Sequence, residues 1–212
     1  MKKLVIFIAL ALSLSLACPA FAVPGPSEPS VYCYDDGTCF QTFSDLADDD
    51  DAIIEAHRLG VVTGYGDWKF HPRKLMTAEE LTQMVYNLYA KEFSPRSEEA
   101  PWWANAVRWL QSISEGEVPC DIHAASVSIE DAITLIYLGR LSSTGGQPRE
   151  SFRADALRWA NAMGCPVVGA WRHDLPIGNS DELSRGDACR LIVMTYEMAR
   201  QAEFCGVEYL YL

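Results

Sequence analysis

Residues 59–88 read LGVVTGYGDWKFHPRKLMTAEELTQMVYNL, and the punctuation of this stretch decides the fold. Gly60 marks a helix stop, since glycine takes the left-handed conformation of a helix end without a Cβ clash. Gly64 and Gly66 predict a turn after it. Thr77, followed three residues later by Glu80, is a capping box: hydroxyl and carboxylate each satisfy a backbone donor that a new helix leaves orphaned. Leu81, Met84, Val85 and Leu88 recur at spacings of three and four, so that helix carries one apolar face.

The same arrangement returns twice downstream. Ser128 with Asp131, and Ser184 with Asp187, repeat the hydroxyl cap with an acid three residues on, each ahead of an apolar run. The caps are 51 and 56 residues apart. An earlier helix precedes each, predicted over 52–59, 102–110 and 152–163 and aligned through Ala52, Ala106 and Ala156. In that register Trp109 and Trp159 coincide. A period of this size with constant helix-loop-helix content predicts units that bury their faces on one another. The second helices are expected from Thr77, from Ser128 to about Gly139, and from Ser184 to Gln201. Residues 142–146 (SSTGG) read as a flexible linker between units two and three.

The first unit, from FSDL at Phe43 through LGVVTGYGDWKFHP to TAEE at Thr77, resembles an S-layer homology (SLH) repeat. That family opens on F-x-D-V, ends a helix in G-I-V-x-G, closes a turn in F-x-P and starts a helix with T-R-A-E. The match is specific in unit one and looser in units two and three. The resemblance implies a mostly all-α fold, with three SLH-like repeats packed as a pseudo-threefold helical bundle. It implies noncovalent binding of a secondary cell-wall polysaccharide, often one carrying a pyruvate ketal.

The chemistry of that task is a guanidinium fork and helix-start amides on the sugar carboxylate, with an aromatic face on the ring. In the family the arginine of T-R-A-E does this work, and only Arg185 matches it; Ala78 and Ile129 stand at the other two positions. Arg73 and Lys74 are candidates to substitute in unit one, with Tyr65 or Trp68 as the stacking face. Asp45 and Gly64, within the family's opening and turn, complete the unit-one candidates. Trp102, Trp103, Trp109 and Trp159 read first as packing residues, and Trp103 is retained as a candidate sugar face. The competing expectation is that the repeats have decayed as glycan binders and form a disulfide-stabilised scaffold for a protein partner.

The remaining chain sets the compartment. Lys2 and Lys3, an apolar run over 4–16 and Ala20-Phe21-Ala22 predict a secretory signal over 1–22, too short for a membrane span. Cys18 lacks the aliphatic residue that a lipidation site wants three positions earlier, so it is expected to leave with the signal. Residues 23–42 form a Pro-rich linker and a hairpin, since Cys33 and Cys39 flank a central Asp-Gly. Cys120, Cys165, Cys189 and Cys205 leave their connectivity open. The units are assigned to 43–94, 101–141 and 151–201, followed by an aromatic tail over 202–212.

Composition excludes several functions. The net charge of −12 becomes −14 once Lys2 and Lys3 are cleaved, which repels nucleic acid and anionic lipid and gives no long-range pull on an anionic polymer. The acids at 48–51 lack the spacing of an EF-hand and suit the positive end of a helix, so no metal is expected. There is no Gly-x-Ser-x-Gly, no His-Glu-x-x-His and no phosphate loop, and the four histidines are scattered; neither catalysis nor a cofactor is expected.

Overall fold

A computed structural model describes residues 29–33, 37–47, 50–90, 101–114, 120–146, 151–162 and 182–204. The expected signal over 1–22 with Cys18, the linker over 23–28, the connector after the first unit, Cys165, Cys205 and the end of the aromatic tail lie outside them. Among the described residues the protein is helical apart from one hairpin, as expected. Strands β1 (Ser30–Cys33) and β2 (Cys39–Thr42) pair antiparallel, Tyr32 opposite Phe40, and the Cys33–Cys39 disulfide closes them. Tyr32 and Phe40 lie ring to ring, and Phe40 faces His57 at 5.9 Å.

Among the described residues six helices follow in pairs: α1 (Asp51–Arg58) and α2 (Ala78–Tyr89), α3 (Ala104–Ile113) and α4 (Ile129–Thr144), α5 (Phe152–Ala162) and α6 (Arg185–Phe204). Each second helix starts where its hydroxyl predicts. Thr77 accepts from the Glu80 amide and Glu80 reaches back to the Thr77 amide, a complete capping box. Ser128 and Ser184 accept from the amides of Asp131 and Asp187. Those aspartates are one methylene shorter than Glu80, and they accept the serine hydroxyl instead of reaching back to the cap amide.

The residue just ahead of each cap is apolar and almost wholly buried: Met76, Val127 and Leu183. Backbone bonds join these three segments, Met76 N to the Leu183 carbonyl at 2.8 Å and Leu183 N to the Val127 carbonyl at 2.9 Å. The Ala78 amide bonds the Ala124 carbonyl across the remaining seam. The second helices therefore start from one common point. Around it the first helices close a cycle: α3 packs on α2, α5 on α4, and α1 on α6. Each leans on the second helix of the preceding pair, and the last contact returns to the beginning.

Equivalent positions repeat the same packing. Leu81, Ala132 and Ala188, four residues after the caps, are all fully buried. Trp109 meets Tyr86 at 5.8 Å, and Trp159 meets Tyr137 at 5.6 Å; both tyrosines stand nine residues past their cap. The third seam has Val193 and Glu55 in those places, and ion pairs hold it instead: Arg190 bridges Asp50 and Asp187. Asp50, from the acid run, is thus a buried partner at the start of α1.

Two boundaries differ from expectation. Helix α4 does not stop near Gly139 but runs to Thr144, so Ser142, Ser143 and Thr144 are helix and not linker. Buried Leu141 holds the last turns on the core, the hydroxyls of Ser143 and Thr144 bond back to the Arg140 and Leu141 carbonyls, and Gly145 closes the helix with φ of 68°. Gly139 serves another purpose: a Cβ there would meet Val85 Cγ1 at 2.5 Å and Tyr89 Cδ2 at 2.6 Å, so its absence lets α4 lie close on α2. Finally, α6 runs to Phe204, three residues into the expected tail.

Candidate functional site at the junction of first and third helix pairs

The loop between α1 and α2 is held in an unusual shape. Trp68 and His71 are non-glycine residues with φ of 60° and 56°, a conformation that strains L side chains. Asp45 makes the shape possible, accepting from the amides of Phe70 and His71 at 2.8 Å each, while Ser44 holds the Trp68 carbonyl through both its amide and its hydroxyl. Gly64 is required beneath the loop, because a Cβ would lie 2.5 Å from the Phe43 ring. The Phe-Ser-Asp opening and the glycine turn are thus two halves of one clamp.

Arg185, the first residue of α6, enters this loop from the third pair. Its Nε donates to the Phe70 carbonyl at 3.1 Å, Nη1 to Glu80 Oε1 at 3.2 Å and Nη2 to the Thr63 carbonyl at 3.4 Å. The guanidinium lies 4.5 Å from the Phe70 ring centre and 4.8 Å from that of Tyr65. Three of its five N–H groups are used, so the side chain is a tie across the seam as well as a positive charge.

Glu80 is the hub. Its Oε1 accepts from Tyr65 Oη at 2.8 Å and Lys74 Nζ at 2.9 Å in addition to Arg185. Burial alone would raise its pKa, but the bonds from Lys74, Tyr65 and the Thr77 amide, with the Arg185 charge, outweigh it and hold the carboxyl below its usual range. Lys74 is raised, first by its bond to Tyr65 and then, against some burial, by Glu80. Two cations facing one carboxylate leave local positive charge on an acidic protein.

Beside this network opens a cavity of about 180 Å³. Val61, Val62 and Met84 form its apolar wall, Tyr65 and Trp102 its aromatic faces, and Glu80, Gln83, Asn87 and Arg185 its polar groups. Tyr65 is 37% exposed and Trp102 42%, so both rings reach solvent at its edge.

Of the residues expected from sequence, Arg185, Gly64 and Tyr65 meet at this cavity, and Lys74 joins them through Glu80. Asp45 shapes the loop from outside. Trp68 is exposed in the same turn and Arg73 is exposed ahead of α2; neither lines the cavity. Trp103 stands edge-on to His123, which pairs with Glu79 at the first seam. One expectation is corrected: the amides at the start of α6 are not open to an anion. Arg185 N donates to the Lys74 carbonyl, Gly186 N to that of Pro72, and Asp187 N to Ser184. Sequence reasoning missed Trp102, Gln83 and Asn87. Trp102 had one signal, a second tryptophan directly beside the retained Trp103, whereas Gln83 and Asn87 sit one helical turn apart on the polar side of α2.

No curated protein resembles the chain closely enough to count as a match. The family model of the S-layer homology domain does match, over residues 42–82, which span the clamped loop, the cap at Thr77 and Glu80. Residues 42–82 are thus similar to an S-layer homology domain, a match that supports in general terms a role at the cell surface or cell wall.

Proposed function

We propose that this is an exported, non-catalytic envelope protein that binds an acidic polysaccharide of the cell wall at the cavity between the first and third helix pairs. On this reading the second and third pairs are altered copies of the first, so that one of three related seams keeps the arginine. The carrying observation is that the Arg185 guanidinium, the partly exposed rings of Tyr65 and Trp102, and the polar groups of Gln83 and Asn87 line one cavity, with the Lys74 charge bound to Glu80 in its wall. A sugar ring has an apolar face for the aromatics, hydroxyls for the amides, and, when acidic, a carboxylate for the cations.

At the corresponding starts of α2 and α4 stand Ala78 and partly buried Ile129, which offer no charge. This favours one working site, and it is also what a scaffold for a protein partner would show. Cosedimentation separates the two readings. Protein without residues 1–22 is mixed with wall sacculi before and after chemical removal of the secondary polymer. Pelleting that is lost on removal is the expected result; absence of pelleting in both arms, or pelleting unaffected by removal, overturns glycan binding.

A further inference from the structure

The charges that line the cavity cancel. Among the described residues lining it, Arg185 and Glu80 alone are charged, one of each sign, and Arg185 Nη1 lies 3.2 Å from Glu80 Oε1. An anion drawn to the guanidinium therefore meets a carboxylate beside it. The positive sign of the site comes from Lys74, which does not line the cavity and whose side chain is 46% exposed. Its Nζ donates to Glu80 Oε1 at 2.9 Å and to Tyr65 Oη at 2.8 Å. Lys74 and Arg185 thus share one carboxylate oxygen, two positive charges against one negative. With Glu80 taken up from outside by Lys74, the Arg185 charge stands uncancelled toward the cavity. Tyr65 Oη also donates to Glu80 Oε1, at 2.8 Å, so the ring keeps an anchor that does not depend on Lys74.

We infer that Lys74 sets the charge preference of the site without touching the ligand: by neutralising Glu80 from the solvent side, it lets Arg185 favour an acidic sugar over a neutral one. This inference rests on the glycan reading above and separates two duties within it. Arg185 is the group in the cavity, with two of its five N–H groups not committed to Phe70, Glu80 or Thr63. Lys74 is a positioning residue that acts through Glu80. It needs no contact with the sugar, because a unit charge a few ångströms away in a partly buried setting is felt through the field. Without it, Arg185 and Glu80 form a neutral pair, and a carboxylate on the ring gains little over an alcohol at the same place. The rings of Tyr65 and Trp102 and the amides of Gln83 and Asn87 carry no net charge and do not restore the preference.

The test measures a ratio. Polysaccharide fragments released from wall sacculi are used as isolated and after chemical reduction of their carboxyl groups to alcohols, and each protein is titrated calorimetrically with both, well below its melting transition. The unaltered protein is expected to bind the acidic fragments about tenfold more tightly than the reduced ones. Lys74→Met keeps the stem and loses the charge, and should bring that ratio to about one; Lys74→Arg should keep it. Lys74→Met combined with Glu80→Gln removes both charges, leaves Arg185 uncancelled and should recover most of the ratio. A merely structural role for Lys74 gives no such recovery, because the second substitution takes away a further anchor of the loop. An unchanged ratio in Lys74→Met, a lost ratio in Lys74→Arg, or no recovery in the double variant overturns the inference and leaves glycan binding standing. A ratio of about one in the unaltered protein does the same. Failure of the unaltered protein to bind either kind of fragment overturns the glycan reading itself, and this inference with it.

Discussion

Truncating Arg185 to alanine should weaken both the fold and the site, and the structure sets the scale. The side chain makes three hydrogen bonds, at 3.1, 3.2 and 3.4 Å, and rests on two rings. It ties the start of α6 to the loop ahead of α2, so its loss opens the seam that closes the cycle of helices. Removing one member of a buried ion pair costs about 3–5 kcal/mol when the other charge is stranded. Glu80 would not be stranded fully, since Lys74 and Tyr65 still donate to it. The Phe70 and Thr63 carbonyls each lose a donor, at about 1 kcal/mol apiece. A loss of about 3–4 kcal/mol results, which for a domain of this size lowers the melting temperature by about 10 °C. Arg185→Lys keeps the charge but not the fork, and should fall between. Circular dichroism melts of the three proteins, with pelleting measured well below the transition, provide the readout. A fall under about 2 °C for Arg185→Ala would refute the seam tie.

Further outcomes follow from other contacts. Gly139→Ala would gain about 1 kcal/mol of helix propensity elsewhere, but here the new Cβ meets Val85 and Tyr89, and overpacking at about 1–3 kcal/mol should give a net loss in melting temperature. The depressed pKa of Glu80 contributes stability that is present above the unfolded value near 4.5 and is lost as pH falls through the lower folded value. Melts at stepped pH from 5 downward should therefore show a steeper decline for the parent than for Glu80→Gln. Cys189 is buried and its thiol is pushed up to about 12 by desolvation, so an alkylating reagent at neutral pH should leave it unmodified until the protein unfolds. Mass mapping of labelled peptides with and without denaturant checks this.

The helices were legible because each signal is local. A hydroxyl, an acid three residues later and an apolar face fix a helix start without knowledge of neighbours, and Thr77, Ser128 and Ser184 all cap as read. The Cys33–Cys39 hairpin was legible for the same reason. What could not be read depends on partners far along the chain. Gly139 looks like a helix stop until Val85 and Tyr89 are seen against it. The closing contact of α1 on α6 joins segments about 140 residues apart, and no local pattern announces that Asp50 meets Arg190. In the site, Arg185 was found by its place in a motif, but its commitment to Phe70, Thr63 and Glu80 was not visible there. Trp102 was passed over because a tryptophan at a helix entrance reads as packing, and only the fold turns its face to the cavity.

The most direct test of the account is to locate the bound polymer on the protein. With ¹⁵N-labelled protein lacking residues 1–22, titration with purified wall polysaccharide fragments should shift the amides of 61–65, 80–87 and 102 and the Arg185 side-chain Nε–H. Signals of Ala78, Ile129 and the hairpin should stay in place. Shifts centred on the start of α2 or α4 and sparing Arg185, or no shifts at saturating fragment, would contradict a single glycan site at the junction of the first and third pairs.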